Sequence, residues 1–175
     1  MALTPSPVVV SGGWDNCLKV SPANGAGDSG STTTALSGQP RGVVCNADLL
    51  ATATATEVIL LSLPGLEPAA SAGELGYQPT CLALSSTGEV VVGGSDNSTH
   101  VYAHVDRALS ETHKFETRSA VSSVAVSSDG TTMAVGDNGR QIEVFKKTGA
   151  GAWESHIKGK WVFHTSKVTS LAFSP

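Results

Sequence analysis

Short runs of alternating apolar and small or polar residues recur along this chain at regular distances. Leu82-Ala83-Leu84-Ser85, Val124-Ala125-Val126-Ser127 and Leu171-Ala172-Phe173-Ser174 are one pattern at separations of 42 and 47, and Val43-Val44-Cys45-Asn46 is a weaker copy 39 residues before Leu82. A second series, Val20, Leu61, Tyr102 and Phe145, steps by 41, 41 and 43, each at the end of another apolar run. Runs this short, rich in β-branched residues and bounded by Gly, Asp, Asn and Ser, predict strands rather than helices.

The turns carry the same period. Gly13-Trp14-Asp15-Asn16, Gly94-Ser95-Asp96-Asn97 and Gly136-Asp137-Asn138-Gly139 each sit between two strand-like runs. Asp, Asn and Gly tolerate the positive φ of tight hairpins, so each reads as a hairpin turn. In the remaining repeat the corresponding position is Thr56, so that copy has drifted. Ser86-Thr87-Gly88 and Ser128-Asp129-Gly130 supply a second turn, before the strand-like runs 89–93 and 131–136. A period of roughly 40–45 residues built from strands is the signature of propeller blades, each a four-stranded antiparallel sheet.

The sequence therefore predicts an all-β chain, a β-propeller present as a partial ring of about three full blades plus two partial ones. The blades fall at about 1–35 (partial, lacking its opening strand, with a Gly/Ser/Thr-rich loop from Pro22 to about Thr34), 36–75, 76–117, 118–163 and 164–175 (a single strand and the start of a turn). In the fourth, Ala152-Trp153-Glu154-Ser155 reads as the outer strand after the loop Thr148 to Gly151. Rings of fewer than four blades are not expected to close, so the expectation is a piece of a longer propeller, sticky in isolation because its end blades leave strand edges and apolar faces open.

Composition narrows the function classes. With 40% hydrophobic and 15% charged residues the chain is neither disordered nor surface-dominated. No apolar run approaches the ~18–20 residues of a membrane helix, and no basic-then-apolar leader opens the sequence, so a cytoplasmic location and no membrane contact are expected. Cys17, Cys45 and Cys81 are odd in number, without a CxxC pair; they are expected as reduced, semi-buried thiols, with neither zinc nor a disulfide framework. Asn97-Ser98-Thr99 fits the glycosylation pattern, which a cytosolic chain would not use.

Asp15, Asp96 and Asp137 hold the repeated turn position, where a carboxylate accepts hydrogen bonds from nearby backbone N–H groups, and are assigned a structural role. His100, His104, His113 and His156 show no metal-ligand spacing, and no nucleophile elbow, phosphate-binding glycine loop or activated Cys/His pair is present. No catalytic residue, metal or cofactor is expected, and the chain is read as not an enzyme. Charge is uneven: Arg140 to Pro175 holds six Lys or Arg against two acids, about +4, while residues 1–139 carry about −8. Lys146, Lys147, Lys158, Lys160 and Trp161 form a candidate partner-binding edge toward an acidic protein surface, and solvated loop lysines are the plainer alternative. A net charge of −4 and the lack of a reader motif argue against nucleic acid.

His164-Thr165-Ser166-Lys167-Val168-Thr169-Ser170-Leu171-Ala172-Phe173-Ser174-Pro175 resembles the opening of a WD-repeat, with a His before the first strand and Ser-Pro after it. The His is absent from the matching positions Thr117, Leu75 and Leu36, and Trp from the third-strand ends, so the family's Asp-His-Trp arrangement is expected to be missing. Gly13-Trp14-Asp15-Asn16 with Leu18, Gly38-Gln39-Pro40 before Val43, Gly76-Tyr77-Gln78-Pro79, Val121 to Ser127 with Asp129-Gly130, and Phe163-His164 before Ser174-Pro175 resemble, in that order, the second, C-terminal propeller of the actin-interacting protein 1 family. That resemblance covers nearly the whole chain. It implies a non-enzymatic protein of the cytoskeleton that binds actin filaments with cofilin and promotes their disassembly. A generic WD-repeat scaffold or adaptor for another multiprotein assembly is the alternative.

Overall fold

The computed structural model describes residues 7–23, 30–149 and 151–174. Residues 1–6, 24–29, Ala150 and Pro175, which the sequence reading places in the first blade, in two loops and after the last strand, lie outside the described residues. The described chain is built from strands in three hydrogen-bonded sheets, with no helix long and apolar enough to cross a membrane.

Blade 1 contributes β1 (Val8–Gly12), β2 (Cys17–Pro22) and β3 (Thr32–Ala35) in that spatial order. Blade 2 is β4 (Gly42–Cys45), β5 (Leu49–Ala53), β6 (Val58–Ser62) and β7 (Glu67–Ala72). Blade 3 is β8 (Pro79–Leu84), β9 (Val90–Gly94), β10 (Ser98–Val105) and β11 (Ala108–Glu116). Blade 4 is β12 (Val121–Val126), β13 (Thr132–Asp137), β14 (Ile142–Lys147) and β15 (Trp153–Trp161). Strands within each blade run antiparallel to their neighbours. A single parallel bridge, Ala108 to Ser71, joins the outer strands of blades 2 and 3.

Two expectations change. Thr32 to Ala35 were assigned largely to a loop but pair with β2 as a fourth-position strand, because β2 otherwise has a free outer edge and β-branched Thr suits a half-exposed pleat. The segment 164–174 is expected to hold a strand and holds none, because among the described residues it forms no β-ladder; Val168 N–H instead donates to Asp137 O at 3.2 Å.

Period-two alternation gives each blade two apolar faces, one for each neighbour. Leu82, Val90, Val92 and Tyr102 of blade 3 pack on Ala51, Val58, Leu60 and Ala70 of blade 2. The intervening residues Ala83, Val91 and Val101 pack on Val121, Met133, Phe145 and Trp153 of blade 4. Leu18 and Val20 of blade 1 meet Leu50, Leu61 and Leu66 in the same way. Each fully covered aliphatic side chain contributes about 1.5–3 kcal/mol, so the inter-blade faces hold the stack together. Val20, Leu61, Tyr102 and Phe145 are all buried, and in blades 2, 3 and 4 a register shift falls at that residue, so the 41-to-43 step marks a recurring bulge.

The inner strands lie side by side, β4 beside β8 and β8 beside β12. Leu82 and Val124 thus occupy equivalent innermost strands of adjacent blades. The closest approach is at Gly93, where a Cβ would stand 2.5 Å from Val121 Cγ1, and at Gly136, where it would stand 2.6 Å from Val168 Cγ1. Thr80 Oγ1 donates to Val121 O (2.6 Å) and Gly93 O (2.9 Å), and Ser122 Oγ repeats this toward Val168 O (2.5 Å) and Gly136 O (3.2 Å).

Candidate functional site

The turn carboxylates share a position in the repeat and differ in what they hold. Asp15 Oδ1 accepts from the Cys17 backbone N–H at 3.3 Å. Asp137, buried, accepts from the Gln141 backbone N–H at 2.7 Å, closing its own hairpin. Asp96 is turned outward along the blade, with Oδ1 3.3 Å from His100 Nε2 and Oδ2 accepting from Lys114 Nζ at 3.1 Å. In the drifted blade 2, Thr54 Oγ1 accepts from the Thr56 N–H at 3.3 Å and so serves that turn. At the second turn type, Ser85 and Ser127 hydroxyls cap Glu89 N–H and Thr132 N–H, and Gly88 and Gly130 take the positive φ of 85° and 70°.

Asp96 belongs to a cluster that sequence reasoning missed. His100, in the middle of β10 and buried, faces Glu111 Oε2 with Nδ1 at 3.1 Å and Asp96 with Nε2. Register supplies the neighbours: across from β10, His100 faces Lys114 and Tyr102 faces Glu111 on β11. The Tyr77 ring stacks on His100 with centroids 3.7 Å apart and planes 1° apart, and its hydroxyl lies 2.8 Å from the Tyr102 hydroxyl. Burial and the neighbouring Tyr102 phenol push the Tyr77 phenol up. Burial pushes the Asp96 carboxyl up, but Lys114 and His100 outweigh it and hold it below the usual aspartate value. These groups border a polar cleft of about 350 Å³ between blades 2 and 3, which Gly73 and Glu74 also line. The signals available in the sequence were the Asp96-to-His100 spacing of four and Tyr77 in the Gly-Tyr pair before β8.

The candidate basic edge is only partly brought together. Lys147 is committed inward: its Nζ pairs with Glu89 of blade 3 at 2.6 Å and lies 5.5 Å over the Trp153 ring. Lys158 reaches back to Glu116 O at 3.4 Å, while Lys146 is exposed and faces Glu154 across the strands. Lys160 is exposed on β15. Trp161 pairs in register with Ile142 and its ring lies 5.9 Å from Phe163, both rings exposed. Beneath the edge, Glu143 is buried with Oε2 lacking a hydrogen-bond partner; burial pushes its carboxyl up, with Lys158 opposing. Among the cysteines, Cys17 and Cys81 are half-buried and burial raises the Cys81 thiol, but Cys45 is exposed, contrary to expectation, because it closes the short innermost strand β4. Among the described residues no group of three or more His, Cys, Asp or Glu is placed to hold a metal ion.

The family pattern "WD domain, G-beta repeat" matches residues 109–146, from the outer strand of blade 3 through the third strand of blade 4. The chain is 32% identical over 93% of its length to actin-interacting protein 1 of Caenorhabditis elegans, of which it covers 26%. It is 34% identical over 79% of its length to the 66 kDa stress protein of Physarum polycephalum, covering 23%. With WD repeat-containing protein 1 of Rattus norvegicus the identity is 33% over 57% of the chain. The chain thus spans about a quarter of the length of the first two relatives. In structure it matches a chain of the mitotic checkpoint complex with a TM-score of 0.75 at 16% identity, over 96% of this chain and 50% of that one, a likeness of fold alone.

Proposed function

From the premise that this chain belongs to the WD-repeat family and is similar to actin-interacting protein 1 along most of its length, we propose that it is a non-enzymatic binding element that works on actin filaments together with cofilin to promote their disassembly, in the cytoplasm at the cytoskeleton. The observation that carries this reading is the 32% identity over 93% of the chain to a relative named for its interaction with actin. The fold suits a binding role: inter-blade faces are packed rigidly while turns and outer strands are left to meet a partner. Binding of that kind drives disassembly by favouring one filament state over another, which requires a difference in affinity between the two. Lys146 and Lys160, exposed on the outer half of blade 4, are the cations best placed to steer the chain onto an acidic surface, with Lys158 and Trp161 beside them and Lys147 held back by Glu89.

Co-sedimentation with bare and cofilin-decorated filaments tests this. More chain should pellet with decorated filaments, and decorated filaments should lose pyrene fluorescence faster in its presence. Reversing Lys146 and Lys160 to Glu should cut pelleting several-fold at low salt. Equal partition with and without cofilin, with unchanged filament turnover, overturns the reading in favour of a scaffold for some other assembly.

A further inference from the structure

The cleft of about 350 Å³ between blades 2 and 3 lies in the middle of the arc, where blade 1 packs on the far face of blade 2 and blade 4 on the far face of blade 3. Its walls are preformed. On one side Leu75 N–H donates to Thr56 O at 3.1 Å and ties the loop 73–76 to blade 2. On the other, His100 is 2% exposed, carries the Tyr77 ring flat against it and stands between Glu111 and Asp96. A Cβ at Gly73 or Gly76 would meet nothing within 4 Å, so the loop side of the cleft is open.

The lining is rich in acceptors and short of donors. Glu74, Asp96 and Glu111 face one ammonium, Lys114, so three carboxylates less one cation leave two negative charges in excess. Burial raises the Tyr77 and Tyr102 phenols first, and Glu111 and Asp96 raise both further, as negative potential at the back of the cleft requires. Lys114 holds Asp96 Oδ2 at 3.1 Å but is 47% exposed, so this is a surface ion pair, weak and easily exchanged. Between blades 3 and 4 the matching gap is spanned by Lys158, whose Nζ donates to Glu116 O at 3.4 Å. Between blades 2 and 3 Lys114 turns onto Asp96 instead, and the gap stays open.

We infer that this cleft receives the guanidinium of an arginine side chain carried by a partner protein, which takes over Asp96 from Lys114. A guanidinium has five N–H donors and no acceptor, so it suits a lining of carboxylates and phenol oxygens. Its plane stacks on an aromatic wall, as a compact ammonium does not. An arginine within a chain brings no carboxylate of its own, whereas free arginine sets one against Glu74. The walls stand in place before the ligand arrives, so little ordering opposes binding. The lysine edge of blade 4 plays no part, and its charge is the opposite.

Amide NMR of the full chain, with N-acetyl-arginine amide as the probe, tests the site. At millimolar probe the signals of residues 73–77, Asp96, His100 and Lys114 should shift, less so as salt rises, while the uncharged citrulline analogue moves none of them. Glu74→Gln and Glu111→Gln should each weaken binding several-fold. Lys114→Met should tighten it several-fold by removing the resting cation from Asp96, a gain that a purely structural ion pair would not give. If Glu111→Gln loses its native spectrum, Glu74→Gln on the exposed loop decides. Free arginine binding as tightly as the amide would make this a small-molecule site and overturn the partner side chain as its occupant. No shift, equal shifts from the citrulline analogue, shifts spread over other surface carboxylates, or an affinity not raised by Lys114→Met each overturns the guanidinium site.

Discussion

Blades 3 and 4 share a backbone plan and differ in how they satisfy the polar groups between their strands. In blade 3 the turn Asp96 reaches along the sheet to His100 and Lys114, and Glu111 and the Tyr77 ring complete a network around the buried imidazole. In blade 4 the turn Asp137 closes on its own hairpin through Gln141 N–H, and Glu143, which precedes the bulge residue Phe145 by two as His100 precedes Tyr102, keeps an unpartnered Oε2. One blade has a connected polar interior and the other a local turn above a buried, unsatisfied carboxyl. A repeat thus transmits backbone geometry, while each copy settles its side-chain chemistry by itself.

The largest test of this contrast lies at the glycines. Gly93→Ala forces a Cβ to 2.5 Å of both Cys81 Sγ and Val121 Cγ1, between two complete sheets, and should destabilise the chain by about 3 kcal/mol in urea unfolding. Gly136→Ala meets Val168 at 2.6 Å, in a segment with no sheet of its own to hold it, and should cost about 1 kcal/mol because the segment can move away. Equal costs would mean that segment 168–174 is held as firmly as β12.

Removing the central groups comes next. His100→Ala leaves Asp96 and Glu111 without the ring between them and strips the Tyr77 stack, a loss of about 2 kcal/mol. Glu143→Gln removes a buried charge whose Oε2 has no hydrogen-bond partner and should change thermal stability by less than about 0.5 kcal/mol or raise it. A larger loss from Glu143→Gln than from His100→Ala would reverse the comparison.

The smallest effect is in pH dependence, and its sign differs between the blades. Asp96 is held below the ordinary aspartate value, so its share of stability is present above that pH and is lost as pH falls further. Glu143 is raised above 4.5, so the folded state holds its proton longer than the unfolded chain, and stability falls as pH rises from 4.5 toward the raised value. Asp96→Asn should flatten the acid limb of a stability-versus-pH curve, and Glu143→Gln the limb above 4.5. Any other assignment of the two limbs would contradict the structure.

Much of the fold was legible because blade faces impose periodicity on the sequence. The step from Val20 to Leu61, Tyr102 and Phe145 marks one packing position repeated down the arc, and the Asp turns mark the hairpins. The strand Thr32 to Ala35 was not legible, since Thr runs suit a strand edge and a loop equally. The Tyr77–His100 site was hidden for a related reason: its members come from β10, β11 and the segment before β8, and only cross-strand register sets Glu111 and Lys114 beside them.

Local pattern alone dictated that this chain forms short strands in blades of about forty residues, because alternation and turn residues act over a few neighbours. Which carboxylate meets which cation, which lysine stays free, and whether segment 168–174 becomes a strand depended on the tertiary arrangement. Those outcomes require partners brought together from different strands and blades, and a hydrogen bond or a β-ladder exists only when both sides are in place.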